Sequence, residues 1–139
     1  MIPYEILEHT ADIGVRAYGK SREGLFIHMA MGMFSLIVPP EEVRSTLTVP
    51  IKVKATGWDN LLVSWLQELL VLFDTQGILG SSFEIKRLEP TQLEAVLHGE
   101  KLDLKRHSVD KEVKAVTWCD FAMSEDAQGV WTAQVIFDI

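Results

Sequence analysis

A single cysteine, Cys119, cannot form a disulfide within the chain or a thiolate zinc site, so the fold must rest on its core and hydrogen bonds. No apolar run reaches the roughly 20 residues of a membrane span. The richest stretch, 61–73, is interrupted by Ser64, Gln67 and Glu68. Pro3, Glu5 and Glu8 interrupt any apolar run at the start, so no secretory leader is expected there. Basic residues are scarce: 13 Lys and Arg against 20 Asp and Glu give a formal net charge of -7. That balance argues against a broad phosphate-binding surface and against stable direct binding of nucleic acid, and it suits a basic partner or a cation. The chain has no phosphate loop, dinucleotide fingerprint, Gly-x-Ser-x-Gly elbow or Ser/Lys pair. Its four histidines, His9, His28, His98 and His107, lack zinc-like spacing. These absences point to a cytoplasmic helper or binding protein that does not engage a membrane.

What is present fits one domain spanning residues 1–139, with 47% hydrophobic residues. Tyr4 to Glu8 reads as a strand, and Ile13, Val15 and Ala17 alternate in a second. Ser21 suits a helix N-cap, and Phe26, Met29, Ala30, Met33, Phe34 and Ile37 recur at helical spacing until Pro39-Pro40. The methionines around Met31 form either a pliable surface or the packed side of that helix. Leu47 to Ala55 alternates strictly, and Pro50 marks an edge strand or a bulge. A second helix begins at Gly57 to Asp59, with Asp59 as the expected cap. It is apolar around most of its circumference and closes at Gly77. Strands at 82–88 and 93–98 flank the turn Glu89-Pro90-Thr91. Leu102 and Leu104 continue an extended segment, 105–111 reads as an exposed loop, and 112–123 as a long strand with Cys119 on its apolar face. Ala127-Gln128-Gly129 makes the last turn, before alternating Trp131 to Asp138. The fold class is α+β: a mixed, largely antiparallel sheet of about seven or eight strands, packed on one side by two helices.

The residues with chemical potential lie near both ends. Asp12 follows His9-Thr10-Ala11, and the chain finishes on Asp138-Ile139. If the first and last strands are neighbours, Asp12, Asp138 and the main-chain carboxylate of Ile139 meet. Such a cluster needs a cation or a proton to relieve it, and oxygen donors suit hard divalent ions. Two plainer readings stand beside this one: Asp12 bonding its own turn, and Asp138 as a solvated residue near a terminus. Lys114 either reaches to water or balances the carboxylates. His9 supports the site or sits on the surface. Arg106-His107, in the exposed loop, is available to a partner. A carboxylate–metal site leaves open a metal-dependent hydrolase of a small phosphorylated substrate.

Several motifs, taken in order, resemble the archease family. They are His9-Thr10-Ala11-Asp12-Ile13-Gly14, Trp58-Asp59-Asn60-Leu61-Leu62-Val63, Gly99-Glu100-Lys101-Leu102-Asp103, Arg106-His107 with Val113-Lys114-Ala115-Val116-Thr117, and Ile136-Phe137-Asp138-Ile139. The resemblance covers nearly the whole chain. It implies a non-catalytic cofactor of an RtcB-type RNA ligase that promotes the ligase's guanylylation and multiple turnover in tRNA splicing. It also implies a divalent metal, calcium ahead of manganese or magnesium, held by Asp12, Asp138 and Ile139, with Lys114 and His9 as further functional residues.

Overall fold

The computed structural model describes residues 1–8 and 11–139. They form seven strands and two helices, in the order β1 (Tyr4–Glu8), β2 (Asp12–Gly19), α1 (Arg22–Ile37), β3 (Leu47–Lys54), α2 (Trp58–Gln76), β4 (Ile78–Glu89), β5 (Gln92–Lys101), β6 (Ala115–Glu125) and β7 (Trp131–Asp138). A short 3-10 turn, Pro40–Glu42, follows α1. The α+β class and the strand number expected from the sequence hold. The strands divide into two sheets, ordered β1-β2-β7-β6 and β3-β5-β4, and each pairing between them is antiparallel. Both helices pack against strands of both sheets rather than on one side of a single sheet. This explains why α1 and α2 carry so little polar surface: an element covered from two sides must be apolar over most of its circumference.

Local chemistry sets the ends of the helices. The Ser21 hydroxyl accepts from the Gly24 amide at 3.0 Å, capping α1 as its sequence suggests. Gly57, not Asp59, precedes the first turn of α2; Asp59 lies inside that turn, where its charge favours the positive end of the helix. Gly77 ends α2 with φ 67°, a left-handed conformation that costs glycine little. Trp65 is fully buried, and its indole N–H donates to the Phe26 carbonyl at 3.0 Å, joining α2 to α1. An indole buried with its one donor satisfied contributes area without an orphaned polar group. Met29 and Met33 are likewise fully buried, so the methionines of α1 chiefly fill core space. Met31 is half-buried beside a small apolar crevice, with Tyr4, Phe34 and Val38.

Strand periodicity reads correctly where pairing is regular. Ile13, Val15 and Ala17 of β2 are buried, and so are Ala133, Val135 and Phe137 of β7. Pro50 lies on β3, which pairs only with β5 and is therefore an edge, the position where a missing N–H is tolerated. Periodicity fails at β6. Its register against β7 breaks between Thr117 and Ala122, so Trp118 to Phe121 bulge out, and Asp120 adopts φ 50°. Cys119, expected inside, is exposed because this bulge breaks the alternation. The strand itself starts at Ala115, later than the sequence pattern suggests.

Candidate functional site: paired aspartates at a strand end

The first and last strands of the sequence are not direct neighbours; the second and the last are. β2 runs antiparallel to β7 with Asp12 opposite Asp138, Ile13 opposite Phe137 and Gly14 opposite Ile136. Residues directly opposite in an antiparallel pair project from the same face, with Cα atoms about 4.5–5.5 Å apart. The core-facing set starts at Ile13 and Phe137, so Asp12 and Asp138 belong to the outer face. Asp12 is half-buried and Asp138 exposed. Ile139 follows Asp138 directly and packs against the edge of the core. Gly14 is the next residue of β2 on that outer face. A Cβ there would come within 2.9 Å of the Ile136 Cδ1, so glycine lets β1, β2 and β7 close tightly beside the aspartates.

Two like charges directly opposite each other on a sheet are unfavourable. Among the described residues, no Lys, Arg or His nitrogen lies within 4.0 Å of either carboxylate. Nor do three or more His, Cys, Asp or Glu side chains gather to hold a metal. Among the described residues, the side chains at this end of the sheet therefore offer two carboxylates, Asp12 and Asp138, as hard oxygen donors. An all-oxygen set fits calcium, magnesium or manganese and does not fit the nitrogen- and sulfur-seeking metals. Lys114 adjoins this end of the sheet: its amide donates to the Asp138 carbonyl at 2.8 Å, and its side chain is exposed. His9 lies outside the described residues.

Further along the same face, the charges are matched. Arg16 donates to Gln134 at 2.8 Å and pairs with Glu5 at 3.4 Å, and the Tyr18 hydroxyl donates to Glu5 at 2.6 Å. That bond to the Glu5 carboxylate pushes the Tyr18 phenol above its usual value of 10.0, with burial adding to the effect. Among the described residues, the outer face thus changes from a compensated row at its centre to a pair with no cationic partner at its end.

A second cluster was not anticipated. Arg106 and His107 do not lie in an exposed loop: His107 is 5% exposed and Arg106 half-buried. Both meet Glu100, itself 6% exposed, at the end of β5. The Asp103 amide donates to the His107 Nδ1 at 2.8 Å, so that nitrogen carries no proton and the Nε2–H faces the Glu100 carboxylate at 3.1 Å. The Arg44 amide donates to the same carboxylate at 2.6 Å, and the Arg106 guanidinium pairs with it. Burial alone would raise the Glu100 pKa. The Arg44, His107 and Arg106 interactions outweigh it and hold the carboxyl below its ordinary value of 4.5. Arg106 also donates to the Glu42 carbonyl at 3.0 Å, and the Ser108 amide to the Glu42 side chain at 2.6 Å. The polar segment 102–114 is therefore pinned to the end of α1 and the turn after it. The spacing Glu100 to Arg106-His107 carried the signal, but composition alone made the segment look like a solvated loop.

A third feature joins both helices to β7. The Arg22 guanidinium lies between two indoles, 3.9 Å from the Trp58 ring centre and 4.3 Å from that of Trp131. It links the first turns of α1 and α2 to the start of β7, and its residues are far apart in sequence.

A small α+β domain with two antiparallel sheets around two helices, and an acidic pair at one strand end, defines the class. The profile of the Archease protein family matches residues 4–139, and this chain belongs to that family. It is 39% identical over 140 residues to a protein archease of Pyrococcus abyssi, covering 98% of each chain. It is 39% identical to a protein archease of Methanosarcina barkeri, covering 98% of this chain and 95% of that one. The solution structure of protein 1598 of Methanobacterium thermoautotrophicum superposes with a TM-score of 0.85 at 31% identity, over 99% of both chains. The crystal structure of a Thermotoga maritima archease, titled a possible chaperone, shares the fold at 20% identity with a TM-score of 0.67.

Proposed function

We propose that this protein is a cytoplasmic, non-catalytic activator of an RtcB-type RNA ligase, promoting its guanylylation and multiple turnover in tRNA splicing. The observation that carries this reading is the pairing of Asp12 with Asp138 across β2 and β7, in a chain of the archease family. Asp12, Asp138 and the main-chain carboxylate at Ile139 would hold one divalent cation, calcium ahead of manganese or magnesium. The bound ion would neutralise the carboxylate cluster and offer open coordination positions to a partner or its nucleotide. Lys114, whose amide holds the Asp138 carbonyl, fixes the end of β7 beside that site. His9 adjoins Asp12 in sequence and is assigned a supporting role.

The net charge of -7 supports delivery to a protein partner rather than direct contact with RNA phosphates. The test is a ligation time course with RNA in excess over ligase. The protein is expected to convert a stalled ligase into one that turns over repeatedly, and Asp12→Asn to lose this effect. A short extension after Ile139 displaces the main-chain carboxylate and is expected to weaken activation. Undiminished activation by both variants would remove the metal site from the mechanism. Turnover of a phosphoester by the protein alone, abolished in Asp12→Asn, would instead establish a metal-dependent hydrolase.

A further inference from the structure

The bulge of β6 presents an exposed tryptophan that the proposed function does not use. β6 is an edge of its sheet, so one of its sides has no strand partner. In its register with β7, Thr117 opposes Ile136 and Ala122 opposes Gln134, so four residues stand where the partner has one. Trp118 is 50% exposed. Its ring centre lies 5.0 Å from that of Phe121, which packs against the core. Side-chain hydrogen bonds fix the bulge. The Gln134 amide nitrogen donates to the Asp120 carbonyl at 3.1 Å, the Cys119 amide to the Thr117 hydroxyl at 3.3 Å, and that hydroxyl to the Ile136 carbonyl at 2.9 Å. Asp120 is held at φ 50°, the one described non-glycine residue with positive φ. Such backbone strain persists only where its surroundings impose it. The outcome is a braced, outward-facing tryptophan on an edge strand, and preordering of this kind lowers the entropic cost of binding.

We infer that Trp118, propped on Phe121, is the docking anchor for a protein partner with an apolar socket rimmed by basic residues. Tryptophan is enriched among residues that dominate interface affinity. The surroundings select the partner. Asp120 is exposed within the bulge beside Trp118, and Asp110 and Glu112 before β6 and Glu125 and Asp126 at its far end are exposed as well. The opposing cations are Lys114 and Lys111, and Lys111 already pairs with Asp110 at 3.7 Å. An acidic strand surface on a chain of net charge -7 repels a phosphate backbone, which disfavours base stacking on Trp118. It also repels a second copy of itself. Electrostatic complementarity points to a basic protein surface. The bulge begins three residues beyond Ala115, the cross-strand neighbour of Asp138, so a partner seated on Trp118 also reaches the paired aspartates. The inference rests on the proposed function in taking the RNA ligase as the partner to test.

The experiment measures binding of the full chain to the ligase by calorimetry at low and high salt, for the wild type, Trp118→Ala and Asp120→Asn. The wild-type Kd is expected to rise with salt. Trp118→Ala is expected to weaken binding at least tenfold while staying folded, with its calcium response unchanged and only a small fall in melting temperature from the lost contact with Phe121. Asp120→Asn keeps a residue tolerant of positive φ and is expected to weaken binding two- to threefold. Wild-type activation with equal affinity of Trp118→Ala overturns the anchor and leaves the proposed function intact. Wild-type protein that neither binds nor activates the ligase overturns both. Trp118-dependent binding of single-stranded RNA, or Trp118-dependent dimerisation in sedimentation, overturns the assignment of a basic protein partner.

Discussion

Two groups of acidic residues in this protein are treated in opposite ways. Glu100 is buried and surrounded by donors: the Arg44 amide, His107 and the Arg106 guanidinium. Asp12 and Asp138 face each other at a strand end with no protein cation within 4.0 Å among the described residues. The first arrangement is internally complete and belongs to folding. Among the described residues the second lacks a compensating charge, and a stable fold tolerates such a pair more readily if a foreign cation completes it. Charge compensation thus separates the structural carboxylate from the proposed metal pair better than burial or residue type does.

The largest effect should come from breaking the complete cluster. Glu100→Ala leaves Arg106 and the Arg44 amide without an acceptor and frees segment 102–114, so urea denaturation should show a loss on the order of 3 kcal/mol. The same variant should retain the calcium response of any protein that remains folded, because Glu100 is no part of the aspartate pair. Calcium at a hundredfold excess over its Kd should stabilise the wild type by about 2.7 kcal/mol, and Asp138→Asn by much less, measured as thermal shifts with and without chelator.

The pH dependence sharpens the contrast. The Glu100 carboxyl is held below 4.5, so its contribution is intact above pH 4.5 and disappears as pH falls through the lowered folded value. Acid titration of stability should therefore steepen below pH 4.5 in the wild type and flatten in Glu100→Gln. The smallest effect has the opposite sign. In chelator, Asp138→Asn removes the repulsion with Asp12 and should stabilise the protein by about 0.2–1 kcal/mol at low salt. A destabilised variant in calorimetry would mean that the pair is already compensated.

Much of the fold was legible because its signals are local. Ser21 and Gly77 mark helix ends through hydrogen bonding and φ, and the alternation in β2, β3 and β7 reports one buried face. Pro50 announced an edge strand. Division into two sheets was not legible, because it depends on strand pairings distant in sequence. Cys119 was misplaced because a bulge of four residues opposite one, which no local motif announced, interrupts the period of two. His107 was misplaced because a polar segment reads as solvated unless its partners are known, and those partners lie on β5 and after α1. Asp12, Asp138 and Ile139 were named from the sequence as candidate ligands, and they stay candidates. That β7 lies beside β2, bringing the aspartates together, came only from the fold.

Whether the aspartate pair takes one cation is best tested by calorimetric titration of calcium into chelator-treated protein. Binding of one ion per chain by the wild type and none by Asp12→Asn is the expected result. Equal binding by both, or no binding by the wild type to calcium, manganese or magnesium, would contradict the account.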